Sequence, residues 1–368
     1  MVELRGETVL VTGGAGFVGG RLAERLQLEA RARVRALVHR WASATWVSRY
    51  PVELVAGDVC DPAAVQTAMA GCSRVFHCAS GGDDAESYRA VNVDGTRNVL
   101  EAARRCGVKR VVHVSSAVVH DLEAPGDIDE SSPLRPARHP YTASKIGGEE
   151  VVWDFWRRER LPVTVLRPAF VWGPRGSQYT VAPVRAMAEG RFALFDGGRA
   201  ECPAVYIDNL VDALLLAATR PNAVGEAFLI TDGEGRTWRD FFEAYAAMLG
   251  RRELPNLSTS APWVRGAIAL FEFATKGMDR LAGNPAPFWR RACRRSLREL
   301  NHGLGRLGIV GRRQMALFSR EGSISIKKAR DVLGFAPRLS LEKAMRETER
   351  WLRDQCPGLL PETREPPP

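Results

Sequence analysis

An α/β fold is what this sequence predicts: a doubly wound parallel sheet of the Rossmann type, carrying a smaller, mostly helical C-terminal domain. Three observations predict it. Short apolar runs alternate with longer amphipathic stretches through the first half of the chain, the rhythm of right-handed βαβ units. The first apolar run, Thr8–Thr12, ends in glycines that open a helix-like segment. Hydrophobic residues make up 45% and charged residues 26% of the 368, a globular balance that excludes a disordered, fibrous or disulfide-stapled chain.

Thr8–Thr12 (TVLVT) is apolar almost throughout, as a strand buried on both faces should be. Gly16–Glu29 reads as a helix with Phe17, Leu22 and Leu26 on one side. Val34–Val38, Val52–Val55 and Arg74–Cys78 are the next strands. Ala90–Cys106 is a long helix, with Gly107 where a C-terminal cap belongs. Arg110–Ser115, Tyr141–Arg160 and Val163–Leu166 continue as strand, helix and strand. After Pro168 the rhythm loosens. Ala204–Ile207 and Ala227–Thr231 read as strands, and Asn209–Thr219, Trp238–Leu249 and Leu341–Leu352 as helices. The stretch from Pro255 to Glu321 is helical in pattern, arginine-rich and aromatic. The tail Cys356–Pro368 carries five prolines and is expected to fray. Residues 1–178, with 205–232 returning to them, form the nucleotide-binding unit on this reading. Residues 179–204 and 233–355 form a substrate domain, and 356–368 a flexible tail.

The sharpest early signal is Thr12-Gly13-Gly14-Ala15-Gly16-Phe17-Val18-Gly19, which follows a strand and opens a helix. Gly13, Gly16 and Gly19 allow a tight turn, backbone approach to a pyrophosphate and close helix–strand packing. The amides of Phe17 and Val18 at the helix start then face the diphosphate. NAD binding calls for a carboxylate at the end of the second strand. This chain has His39-Arg40 there, and Arg40, helped by His39, suits a 2′-phosphate. NADP(H) is therefore favoured over NAD(H). Asp58 and Val59 follow the third strand at the adenine edge, and Cys78, Ala79 and Ser80 run along the cofactor after the fourth.

Tyr141-Thr142-Ala143-Ser144-Lys145 is the second signal. Positions i and i+4 share a helix face. A lysine beside a tyrosine there lowers the phenol's pKa and binds the nicotinamide ribose, while the phenol exchanges a proton with a carbinol or carbonyl. Ser115-Ser116 ends a strand at the edge where ligands bind in such sheets, and a hydroxyl there can bond the reacting oxygen.

Together TGGAGFVG, HCAS, NVDGTRNVLEAA, VVHVSSAVV, YTASK, LRPAFVWGP, VYIDNLVDALLLA and the closing KKARDVLGFAPRLSLEKAMRETERWL resemble the extended short-chain dehydrogenase/reductases from about Thr8 to Leu352. That resemblance implies Ser116, Tyr141 and Lys145 as the catalytic triad, Ser116 holding the second position of the serine pair. It implies a packing or cofactor-side role for Asn92, positions beside the nicotinamide for Pro168 and Phe170, and a homodimer through Ala90–Cys106 and Tyr141–Arg160. The sugar-nucleotide branch commonly has asparagine where Phe170 stands, and an arginine just before the strand that here reads Cys202–Asn209 without one. The motifs look more like the 3β-hydroxysteroid dehydrogenase and dihydroflavonol reductase branch. The expected activity is interconversion of a secondary alcohol and a ketone on a largely apolar small molecule, steroid-, flavonoid- or polyketide-like. A nucleotide-sugar epimerase or dehydratase is the alternative, and a non-catalytic cofactor-binding regulator the third reading.

The remaining features narrow the setting. Seven scattered cysteines without C-x-x-C spacing, and six histidines without ligand spacing, point to free thiols and no metal. No signal-peptide pattern opens the sequence and no apolar run is long enough to span a bilayer, so a cytoplasmic protein is expected. The net charge of +9 is regional: Arg251–Arg320 carries +10 and the rest −1. No nucleic-acid motif accompanies it. A solvated basic face is the plain reading. The interleaving of Trp263, Phe271, Phe273 and Trp289 with Arg265, Lys276, Arg280, Arg290 and Arg291 also fits peripheral contact with an anionic membrane. An acidic substrate group would use the same charge.

Overall fold

A computed structural model of the chain describes residues 4–81, 84–135, 139–262 and 316–362. The aromatic and basic residues singled out between Trp263 and Arg291 lie outside the described residues.

Among the described residues, seven parallel strands form one sheet: β1 (Thr8–Thr12), β2 (Arg33–Val38), β3 (Glu53–Ala56), β4 (Arg74–His77), β5 (Arg110–Val114), β6 (Val163–Pro168) and, later in the chain, β10 (Ala227–Ile230). Their order is β10-β6-β5-β4-β1-β2-β3. The direction of winding reverses between β1 and β4, which leaves a crevice at the carboxyl ends of the strands, where ligands bind in such sheets. Thr12 and His77 are register partners there, as are His77 and His113.

Helices cover both faces. On one lie α1 (Phe17–Leu28) and α7 (Ile207–Thr219), where Leu22, Leu26, Leu210 and Leu214 pack against Val9 and Val11. On the other lie α2 (Pro62–Met69), α4 (Gly95–Arg105) and α5 (Pro140–Glu159), around Val65, Val99, Val152 and Leu10. The sequence pattern did not expose α2, yet its start is marked by Asp61, whose carboxylate accepts from Ala63 and Ala64 N–H, and by Pro62 at the first turn.

The helix expected from Ala90 begins earlier. Asp84 and Ser87 form a capping box for α3 (Ala85–Arg89), and a π turn over Ala90–Asp94 joins it to α4. Beyond β6 the chain forms β7 (Phe170–Trp172), β8 (Leu194–Phe195), β9 (Ala204–Tyr206) and β11 (Asn256–Leu257), paired β7·β9 and β8·β11 in two small sheets. With α6 (Ala182–Ala188), α8 (Trp238–Met248) and the last described helix, α9 (Leu341–Gln355), they enclose a second core around Trp172, Trp238 and Tyr245.

The tail is anchored further than its prolines suggest. Leu360 is buried in this second core beside Leu359, and Arg353 donates to the Pro361 carbonyl at 2.8 Å. The apolar pair Leu359-Leu360 overrides the local tendency to fray.

Candidate active site

The glycine loop joins β1 to α1 with a positive φ of 66° at Gly13. A Cβ on Gly13 would stand 2.8 Å from the Ala79 backbone, and one on Gly19 would stand 2.3 Å from the Gly13 carbonyl oxygen. Neither fits. The helix start carries no side-chain cap and no acidic residue in its first turn, so the first amides of α1, among them Phe17 and Val18, lack an acceptor within the helix. That cradle fits a dinucleotide's diphosphate. Gly16, at the N-cap, is extended.

At the end of β2 His39 and Arg40 are exposed. His39 Nδ1 lies 2.9 Å from an Asp58 carboxylate oxygen, so two residues predicted separately form one pair just beyond β2 and β3. The exposed Arg40 makes no hydrogen bond or ion pair from its guanidinium among the described residues. Val59 is buried against Gly95, and its carbonyl accepts from Asn98 Nδ2 at 2.9 Å. Ala79 N–H donates to Thr12 Oγ1 at 3.3 Å, which fixes the turn carrying Cys78, Ala79 and Ser80 against the end of β1.

The serine, tyrosine and lysine meet at the end of β5. Ser116 is extended, its hydroxyl accepts from Val118 N–H at 3.4 Å, and it lies within hydrogen-bond reach of the Tyr141 phenol. Tyr141 is half-buried against Tyr88, ring centroids 5.5 Å apart. Lys145 is buried and donates to the Val114 carbonyl at 3.1 Å. Burial pushes the Tyr141 phenol up, partly offset by the Ser116 hydroxyl. Lys145 Nζ stands 6.0 Å from the Tyr141 ring centroid, with one of its three donors on the Val114 carbonyl. Burial brings Lys145 itself down to about 8, opposed by Cys78 and Glu149. At neutral pH the site therefore presents a protonated phenol beside a buried cation, the state of a proton donor to a carbonyl oxygen.

The two serines have different partners. The buried Ser115 hydroxyl donates to Glu149 Oε1 at 2.5 Å, facing away from Tyr141, whereas Ser116 faces it. Glu149 is fully buried and takes a bidentate pair from Arg167, at 2.9 and 2.6 Å. His120 Nε2 lies 3.1 Å from Arg167 Nη1. Sequence reasoning missed Glu149, although it continues the spacing of Tyr141 and Lys145 along one face of α5.

Asn92, in the π turn, donates to Ser144 Oγ at 2.9 Å, and its buried Oδ1 has no partner among the described residues. A Cβ on Gly148 would stand 2.5 Å from the Asn92 carbonyl oxygen, so glycine is what lets α5 approach this turn. Pro168 closes β6 instead of following it, and Phe170 packs its ring 4.9 Å from Tyr179 and 5.5 Å from Trp238. Among the described residues no group of three or more His, Cys, Asp or Glu is placed to hold a metal, and no helix is long and apolar enough to cross a membrane.

Beneath the site His77 bonds Thr12 Oγ1 at 2.7 Å and Thr96 Oγ1 at 3.0 Å, and His113 is buried beside it, neither ring nitrogen partnered among the described residues. Burial pushes His77 down to about 3 and His113 well below its usual value. The unfolded imidazoles take protons near pH 6.5 and the folded ones do not, so the unfolded state binds more protons through that window. Stability is full above pH 6.5 and falls with pH down to about 3, by about 1.4 kcal/mol per pH unit for His77 alone. Melting temperatures between pH 7 and 5 should fall with acid, and His77→Gln should flatten the slope; an unchanged slope refutes the assignment.

The family model described as NAD dependent epimerase/dehydratase family matches residues 9–231. A 4-hydroxy-2-methyl-3-oxo-4-farnesyl-3,4-dihydroquinoline-1-oxide ketoreductase of Stigmatella aurantiaca is 31% identical over 343 residues, covering 91% of this chain and 93% of that protein. A 3-beta-hydroxysteroid dehydrogenase of Mycolicibacterium neoaurum is 27% identical over 376 residues, covering 97% and 94%. The solved UDP-glucuronic acid 4-epimerase of Bacillus cereus in complex with NAD superposes with a TM-score of 0.69 at 18% identity, over 94% of this chain and 96% of that one. At that identity the likeness is one of fold.

Proposed function

The chain belongs to the NAD-dependent epimerase/dehydratase family and is an NAD(P)-dependent enzyme of small molecules, and on that premise we propose that it interconverts a secondary alcohol and a ketone on a largely apolar substrate. The observation that carries the reading is the meeting of Ser116, Tyr141 and buried Lys145 at the end of β5, on the sheet edge that also holds the glycine loop. The nicotinamide, when bound, supplies or accepts the hydride. Tyr141 moves the proton at the substrate oxygen, Ser116 orients that oxygen, and Lys145 holds the ribose and the local positive charge. Residues 1–178 with 205–232 hold the dinucleotide, and 179–204 with 233–355 the substrate.

The apolar reading is supported by Phe170, packed on Tyr179 and Trp238, and by the relatives named for ketone and hydroxysteroid chemistry. A nucleotide-sugar epimerase is the second reading, favoured by the family description. NADPH oxidation with 3-ketosteroids and quinolone-type ketones should be seen, and UDP- or dTDP-sugars should give no thermal shift. The reverse pattern reverses the ranking.

We also propose NADP(H) over NAD(H), because β2 ends without a carboxylate and Arg40 extends unpaired at that end. NADPH should bind at least about tenfold more tightly than NADH, a charge-assisted contact to a 2′-phosphate, with Arg40→Ala removing most of the difference. Equal affinities in the wild type, by fluorescence titration, would sink this assignment. A homodimer through α4 and α5 belongs to the same proposal and is checked by light scattering. Peripheral binding to anionic membranes is checked by co-sedimentation with anionic and neutral vesicles.

A further inference from the structure

Three residues of α5 reach the end of β5 at successive turns. Tyr141 meets Ser116, Lys145 Nζ meets the Val114 carbonyl at 3.1 Å, and Glu149 accepts from the Ser115 hydroxyl at 2.5 Å. Positions i, i+4 and i+8 lie along one helix face, and their partners are three consecutive residues of the strand end. The last contact is the deepest. Glu149 is fully buried, Arg167 is nearly so, and the pair is bidentate.

A buried ion pair is weak grounds for stability, because removing both charges from water costs about as much as their attraction returns. Its position supplies a different reason for it. Arg167 precedes Pro168 at the end of β6, Ser115 precedes Ser116, and Glu149 lies one turn beyond Lys145. The pair thus ties together the two strand ends and the helix that surround the reacting centre.

We propose that Glu149 is a positioning residue for this centre. Clamped by Arg167, its carboxylate anchors Ser115 and so fixes both the Val114 carbonyl that grips Lys145 and the Ser116 hydroxyl that faces Tyr141. Its negative charge, one turn from Lys145, also favours the ammonium. The charged and titratable groups around Lys145 are Tyr141 and Glu149 on α5, His77 and Cys78 from β4 and the turn after it, and His113 on β5. Of these, Glu149 and Cys78 favour its cationic form. Around Glu149 stand Ser115 on β5 and Arg167 on β6, with His120 behind Arg167.

The proposal rests on the oxidoreductase reading for turnover but not for cofactor binding, and the test uses both. NADPH affinity is measured by fluorescence from pH 6 to 10 in the wild type, in Glu149→Gln/Arg167→Gln, which leaves no buried charge unpaired, and in Ser115→Ala, which removes one hydroxyl. Melting curves verify folding. The pH at which affinity is half lost should fall by about one unit in the double variant, as Lys145 loses its counter-charge. Ser115→Ala should move it the same way by less. With a ketone that the wild type turns over, Ser115→Ala should lower kcat about tenfold with KM within about twofold, since the lost group acts through residues of the transition state; Ser115→Thr should restore it. Wild-type midpoints in both folded variants, with wild-type kcat in Ser115→Ala, overturn the proposal. If the double variant does not fold, Ser115→Ala decides by the same two readouts. A wild type that binds NADPH but reduces no ketone defeats the functional reading instead, and the midpoints still decide the role of Glu149.

Discussion

Tyr141→Phe is expected to lower turnover at least about a hundredfold, the contribution of a positioned proton donor, while leaving fold and NADPH affinity near those of the wild type. The variant removes one oxygen. The ring keeps its packing against Tyr88, and Lys145 keeps its bond to the Val114 carbonyl. What disappears is the phenolic proton, which burial makes harder still to lose. Initial rates of NADPH oxidation against the best ketone of the panel measure the effect. Unchanged turnover in Tyr141→Phe would end the assignment of this constellation as the reacting centre.

Gly19→Ala should be the next most damaging single change. Its added methyl would stand 2.3 Å from the Gly13 carbonyl oxygen and 3.3 Å from the Gly14 Cα, against backbone that cannot swing aside as a side chain can. Helix α1 must shift from β1, and the amide cradle moves with it. NADPH affinity should fall at least about tenfold and the melting temperature should drop, the cost of overpacking being about 1–3 kcal/mol. Gly6→Ala serves as the comparison: its added Cβ meets nothing within 4 Å, although its φ of +79° makes alanine strained there too. Cofactor affinity in Gly19→Ala equal to that in Gly6→Ala would show that the loop tolerates the shift and that its glycines are turn residues only.

Much of this molecule was legible in one dimension because its signals are local. TVLVT followed by glycines is a strand feeding a helix, and neighbouring residues alone decide that. The spacing of Tyr141 and Lys145 needs no more than the pitch of a helix. Local reasoning fell short where a capping box was passed over and where chain-distant partners decide. The helix expected from Ala90 starts at Ala85, because Asp84 and Ser87 cap it. The tail holds as far as Pro361, because Leu360 joins a core that includes Trp172 and Trp238, more than a hundred positions away.

The site divides along the same line. The sheet, the glycine loop and the identity of Ser116, Tyr141 and Lys145 as candidates could all be read from the chain alone, since each is a short motif on a periodic element. The packed fold alone brings His39 to Asp58, buries Tyr141 and Lys145 so that their pKa values move in opposite directions, and turns Ser115 to a buried Glu149–Arg167 pair. The physical reason is that hydrogen bonds and ion pairs act at about 3 Å, and desolvation depends on everything packed around a group. Those distances are fixed when β5, β6 and α5 come together, and no window of sequence contains all three.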